Sequence, residues 1–152
     1  MYMNKIRLFF IFLILFIPFS LLGGEVYKIK IMGRLEGETI KLPNEGKFNM
    51  FTANAAFSDS DGNYGDAIGR GVRETDKNNK IINLYAVLVF ETPDGSNMIA
   101  RPKRTASDIK AGTGSYKILY ATGAFKKYLG HNCKYAITTT KSGSFIQENI
   151  CK

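Results

Sequence analysis

The chain has no tryptophan, one histidine, two cysteines and four prolines in 152 residues. So few soft ligands, with no carboxylates at ligand spacing around them, do not make a zinc centre. His131 stands two residues before Cys133, but a cysteine nucleophile needs a base within reach and a third group to orient that base. The spacing supplies neither. No Gly-x-Ser-x-Gly is present, so nothing points to a serine hydrolase. Gly112-x-Gly114 is followed by no Gly-Lys-Ser/Thr and no βαβ unit, which removes the phosphate-loop and dinucleotide readings. Asp59-x-Asp61-x-Asn63 opens like a calcium loop. Tyr64 then occupies the glycine position and Arg70 the bidentate glutamate position, so the segment reads as an Asp/Gly-rich turn. Neither a metal nor a cofactor is expected.

A sustained helical period is also lacking. What is present is 45% hydrophobic residues, enough for one core in a chain of this length and too many for disorder. Lys5 and Arg7 precede an unbroken apolar run over 8–17, followed by small residues and Gly23-Gly24, and the first acidic residue is Glu25. That order reads as a secretory signal peptide over 1–24 and a single domain over 25–152. The run is short against the roughly 20 residues that span a bilayer, which makes an uncleaved N-terminal anchor the lesser alternative. The expected location is therefore the periplasm or the outside of the cell. Cys133 and Cys151 fit an oxidising compartment, where an even count predicts a disulfide.

Of the 21 basic residues two lie before residue 25, and all 13 acidic ones lie from there on, leaving an excess of six positive charges. This favours anionic ligands, a weak contact with an anionic surface, or plain solubility. Only Arg101, Lys103 and Arg104 cluster, which reads as a solvated strand end, and nucleic acid is not an expected partner.

From residue 26 onward short β-rich runs alternate with Gly, Asn and Asp clusters. Runs are expected over 26–32, 39–42, 48–57, 67–74, 81–91, 97–103, 115–121, 133–141 and 145–150. One helical turn is expected within 122–130. Pro93-Asp94-Gly95 marks a hairpin. The 81–91 run is the most apolar and is expected to be central. Eight or nine strands with short connections predict an all-β fold, a single antiparallel β-barrel of about eight strands, which removes sheet edges. Gly69 and Gly71 on one face suit a bend at a barrel corner. A β-sandwich is the alternative, without the Cys…Trp…Cys pattern of immunoglobulin domains.

Residues 112–130 carry the spaced pattern Gly112-x-Gly114-x-Tyr116, Ala121-Thr122-Gly123-x-Phe125-Lys126 and Gly130, ahead of Tyr135. Upstream stand Phe57-Ser-Asp-Ser-Asp-Gly62 and Gly69-Arg-Gly71. Together they resemble the small exported β-barrels of the allene oxide cyclase barrel-like and dirigent-like group, over about 48–140. The chain departs from that group in lacking tryptophan and in having Ala121 where a glycine is frequent. The resemblance implies a calycin-like barrel with an apolar interior. It transfers no activity, because the group holds a lipid-epoxide cyclase, proteins that guide phenoxy-radical coupling and many chains of unassigned role.

A ligand-binding barrel has apolar walls and a few convergent polar groups. Arg70, Tyr85, Glu91, Arg101, Tyr116 and Tyr120 are the polar groups expected to share the lumen or its mouth, where arginine beside tyrosine suits an anionic or carbonyl-bearing ligand. The sequence thus predicts an exported barrel that binds a small apolar or amphipathic ligand, rather than an enzyme. The alternatives are a cyclase or isomerase acting by confinement, and an envelope or secreted interaction protein with a basic surface.

Overall fold

The computed structural model describes residues 26–107 and 109–152, so the expected signal segment 1–24 lies outside the described residues. Nine strands follow one another: β1 (Tyr27–Lys41), β2 (Lys47–Asp59), β3 (Tyr64–Thr75), β4 (Ile81–Glu91), β5 (Asn97–Ala100), β6 (Lys103–Ser107), β7 (Ala111–Ala121), β8 (Asn132–Thr139) and β9 (Ser144–Cys151). A 3₁₀ turn over Gly123–Tyr128 joins β7 to β8. All ladders are antiparallel, and β5 pairs with both β4 and β7. That pairing closes an eight-stranded barrel, with β6 as a ninth strand on the far half of β7.

Period-two alternation decides which residues enter the barrel. On β1, Tyr27, Ile29 and Ile31 are buried while Lys28 and Lys30 face out. On β9, Phe145, Gln147, Asn149 and Cys151 are buried, each separated by an exposed residue. On β4 the apolar face of Ala86, Leu88 and Phe90 is the inner one. Cys133 and Cys151 stand opposite each other in the β8–β9 ladder and are joined by a disulfide.

Three expectations change. The runs expected over 26–32 and 39–42 are one strand, β1, which stays paired with β2 through Gly33 and Gly37. The most apolar strand, β4, is not central. It pairs with β3 along its length, but with β5 only from Leu88 to Glu91. The run expected over 97–103 is broken at Arg101-Pro102 into β5 and β6. Proline has no N–H for the ladder and restricts the residue before it, so the chain leaves the β4 edge there.

Seven of the turns sort to the two ends of the barrel, and the Arg101-Pro102 break lies in its wall. One end holds the β2–β3 turn, the Pro93-Asp94-Gly95 hairpin, the 3₁₀ turn and the disulfide. The other holds the β1–β2, β3–β4, β6–β7 and β8–β9 turns. Gly95, at φ +82°, supplies the left-handed residue that the hairpin needs. Asp94 accepts hydrogen bonds from the Thr92 hydroxyl and from the Ser96 amide at 3.0 Å.

Candidate functional site

The first end is filled. Tyr27, Phe57, Phe90, Phe125 and Tyr128 are all buried there. Tyr27 and Tyr128 stack with centroids 3.6 Å apart, and Phe57 meets Phe90 edge-on at 5.3 Å. The Asp-rich turn latches onto these rings. Asp59 accepts the Tyr27 hydroxyl at 2.8 Å and the Asn63 amide nitrogen at 2.8 Å. Asp61 accepts the Tyr128 hydroxyl and lies 2.6 Å from the Lys127 ammonium. Burial first, then the bond to Asp59, pushes the Tyr27 phenol far above its ordinary range.

The other half keeps space. Its inward positions on β2, β3 and β4 include Ala53, Ala67, Gly69 and Ala86, whose small side chains leave a cavity of about 90 Å³. Leu35, Phe51, Leu84 and Ile137 add apolar wall, and Arg73, Arg104, Tyr135, Thr139 and Gln147 are its polar groups. The Arg73 Nε donates to Asn49 Oδ1 at 3.4 Å, and its guanidinium lies 5.7 Å from the centre of the Phe51 ring. Burial, and then the neighbouring Arg104, lower its pKa below the ordinary arginine value, yet a guanidinium keeps its proton at neutral pH. The Tyr135 hydroxyl donates to the Lys103 carbonyl at 3.2 Å. Gly114 makes that ring position possible, since a Cβ there would lie 2.3 Å from Tyr135 Cζ.

The cavity lies behind the β4–β6 stretch of wall. Among the described residues no ladder joins residues 81–87 of β4 to β6, although the two run side by side. Outside this slot lies a groove of about 620 Å³. Ile81, Leu84, Ala86, Val87, Pro102 and Arg104 line both the cavity and the groove, so one stretch of wall borders the two spaces. Arg70, Arg101 and Lys103 add a basic rim outside.

Of the six residues expected in the lumen, only Tyr116 is buried inside. Its hydroxyl has no hydrogen-bond partner among the described residues, and burial raises its pKa. The other five face out, which corrects the lumen assignment. Tyr85 and Tyr120 are 69% and 50% exposed, and Arg70, Glu91 and Arg101 are exposed as well. The physical reason is that the apolar side of β4 and the glycine side of β3 turn inward, sending Arg70, Tyr85 and Glu91 outward. The structure nonetheless brings Arg70, Tyr85 and Arg101 together around the outer groove. Glu91 pairs in register with Asp66, and Tyr120 with Ile99, both away from the slot.

The residue missed was Arg73. It follows Ala67, Gly69 and Gly71 at every second position of β3, so the parity that placed those glycines on one face also placed Arg73 there. Searches against protein-family models, curated proteins and solved structures return no match to the chain.

Proposed function

We propose that the protein is a non-catalytic binding barrel that holds a small amphipathic anion across the slot between β4 and β6. The ligand's apolar part enters the cavity, and its anionic end rests on the rim of Arg70, Arg101 and Lys103. The observation that carries this reading is the shared lining of the inner cavity and the outer groove. The cavity of about 90 Å³ alone is well below the roughly 300–1,000 Å³ of ordinary ligand sites, whereas cavity and groove together fall within that range. Arginine is suited to the polar end because it offers paired donors to a carboxylate. Export to an oxidising compartment belongs to the same proposal, supported by the basic and apolar start of the chain and by the cysteine pair. So does membership of the allene oxide cyclase barrel-like and dirigent-like group, supported by the 112–135 pattern together with a closed barrel.

Calorimetric titration with decanoate and with decanol tests the reading. Both are expected to bind, decanoate more tightly. Ala53→Leu, which fills the cavity, should abolish both. Arg101→Gln should weaken decanoate about tenfold and leave decanol unchanged. Failure of the unmodified protein to bind either compound overturns the proposal.

A further inference from the structure

The positive charges are scattered along the chain but gathered on the barrel. The ladder registers align Lys103, Ser115, Lys134, Ile150 and Lys28 in one row across β6, β7, β8, β9 and β1. A cation therefore stands on every second strand. Neighbouring strands lie about 4.8 Å apart, so these three lysines rise from the sheet at intervals of about 10 Å. Lys117 flanks the row on one side, with Lys152 beside it through the hydrogen bonds of Asn132. Lys30 flanks it on the other side, and Arg101 stands near its β6 end. All seven side chains are exposed, and among the described residues none is held in an ion pair.

Two carboxylates share this face, Asp59 and Glu148. The Asp59 oxygens are already taken by Tyr27 and Asn63. The described residues include 19 basic and 11 acidic ones, an excess of eight. Seven cations and two carboxylates give this face five of those eight charges. Most of the excess thus sits on the strands from β6 round to β1, where it creates a field that attracts anions.

The shape of the face narrows the partner. Two grooves, of about 1,060 and 880 Å³, run between the lysine rows and meet at Ser115, Lys134 and Ile150. A flat bilayer would touch the lysine tips and leave these grooves empty. Ile150 and Leu119 lie among the charges, where the faces of sugar rings can cover them. We propose that this face binds an extended acidic polysaccharide with an acid group on alternate sugars. Its acid groups then meet Lys103, Lys134 and Lys28 in turn, and its uncharged rings cross Ser115 and Ile150. The face meets the β4–β6 slot at Arg101 and Lys103, which border both, while Lys28, Lys30, Lys117 and Lys134 belong to the face alone.

The test is titration of the full chain with a hyaluronate oligosaccharide, which bears one carboxylate on every second sugar. The unmodified protein is compared with two triple variants that remove equal charge. Lys28→Gln with Lys117→Gln and Lys134→Gln clears the face while leaving the slot rim intact. Lys41→Gln with Lys77→Gln and Lys80→Gln clears turns at the other end. Binding should fall about tenfold in the first variant and stay within about twofold in the second. Urea denaturation of both should match the unmodified protein, because every substituted side chain is exposed. Equal losses in the two variants would reduce the effect to net charge and overturn the proposal. So would tighter binding to phosphatidylglycerol vesicles, which would make the face a membrane contact, or the absence of hyaluronate binding.

Discussion

At one end of this barrel the inward positions hold Tyr27, Phe57, Phe90, Phe125 and Tyr128; at the other they hold Ala53, Gly69, Ala86 and Arg73. The same alternation of strand residues shapes both ends, and the 3₁₀ turn adds Phe125 and Tyr128 to the first. The difference lies in side-chain volume and in one proline. Large rings, a disulfide and an Asp-rich latch make the first end a plug. Small residues and the break at Pro102 make the second a space behind an unpaired stretch of wall. Stability is therefore assigned to the first end, and the proposed binding to the second. A barrel filled throughout with rings would be more stable and would have nowhere to put a ligand.

The sharpest way to break this comparison is to remove one ring from each end. Phe90 is fully buried and packs edge-on against Phe57. Phe90→Ala should cost about 3–5 kcal/mol, transfer and cavity terms together. Phe51 is only half-buried beside Arg73, and Phe51→Ala should cost about 1 kcal/mol. Urea denaturation measures both. Equal costs would mean that the open half is as tightly packed as the plug, and the division of labour would fail.

The disulfide sharpens the same contrast at a smaller scale. Cys133 and Cys151 are 18 residues apart in sequence, and closing a loop of that size contributes about 3 kcal/mol in the chain-entropy model. The double variant Cys133→Ala/Cys151→Ala should lose about that much in urea. Its damage should be local, with hydrogen exchange faster in β8 and β9 near the plug and unchanged around residues 81–87. Faster exchange at the slot would show that the two ends are coupled.

The plug was more legible in sequence than the slot. The bounds 81–91, the hairpin at Pro93-Asp94-Gly95, the helical turn within 122–130 and the cysteine pair all follow from local chemistry, and all recur in the structure. β1 was harder. Gly33 and Gly37 look like an interruption between two runs, yet the strand continues through them. A Cβ would lie 2.3 Å from the Asn54 carbonyl oxygen at Gly33 and 2.0 Å from that of Met50 at Gly37. These glycines permit close approach to β2 and do not end a strand, which only the partner reveals. Alternation shows which residues share a face but not which face is the lumen. A search for polar residues inside therefore favours the wrong side of β4, where Tyr85 and Glu91 face out. The slot is invisible for a related reason. Pro102 is plain in sequence, but that its break separates β6 from β4 and not from β7 depends on the whole closed sheet.

Acid should loosen the plug before the open half, and this is the smallest effect the comparison predicts. Asp61 is held below the ordinary carboxylate range by Lys127 first and by the Tyr128 hydroxyl second. Asp94, in the hairpin at the same end, is lowered by the Thr92 hydroxyl and then by Ser96. A carboxyl with a depressed folded pKa binds fewer protons folded than unfolded between the two values, so stability rises with pH across that window. Its contribution is complete above the unfolded value of about 3.9 and is lost as pH falls through the lower folded value. The plug should therefore weaken below about pH 4. Both carboxylates are at the surface, so the effect is small and screened by salt. Asp61→Asn with Asp94→Asn should flatten the decline in urea midpoint over this range and lower the midpoint slightly at neutral pH. In the unmodified protein below pH 4, amides of the Gly123–Tyr128 turn should exchange before those of the β3–β4 turn. The reverse order would place the acid-sensitive contacts at the open end and undo the assignment of stability to the plug.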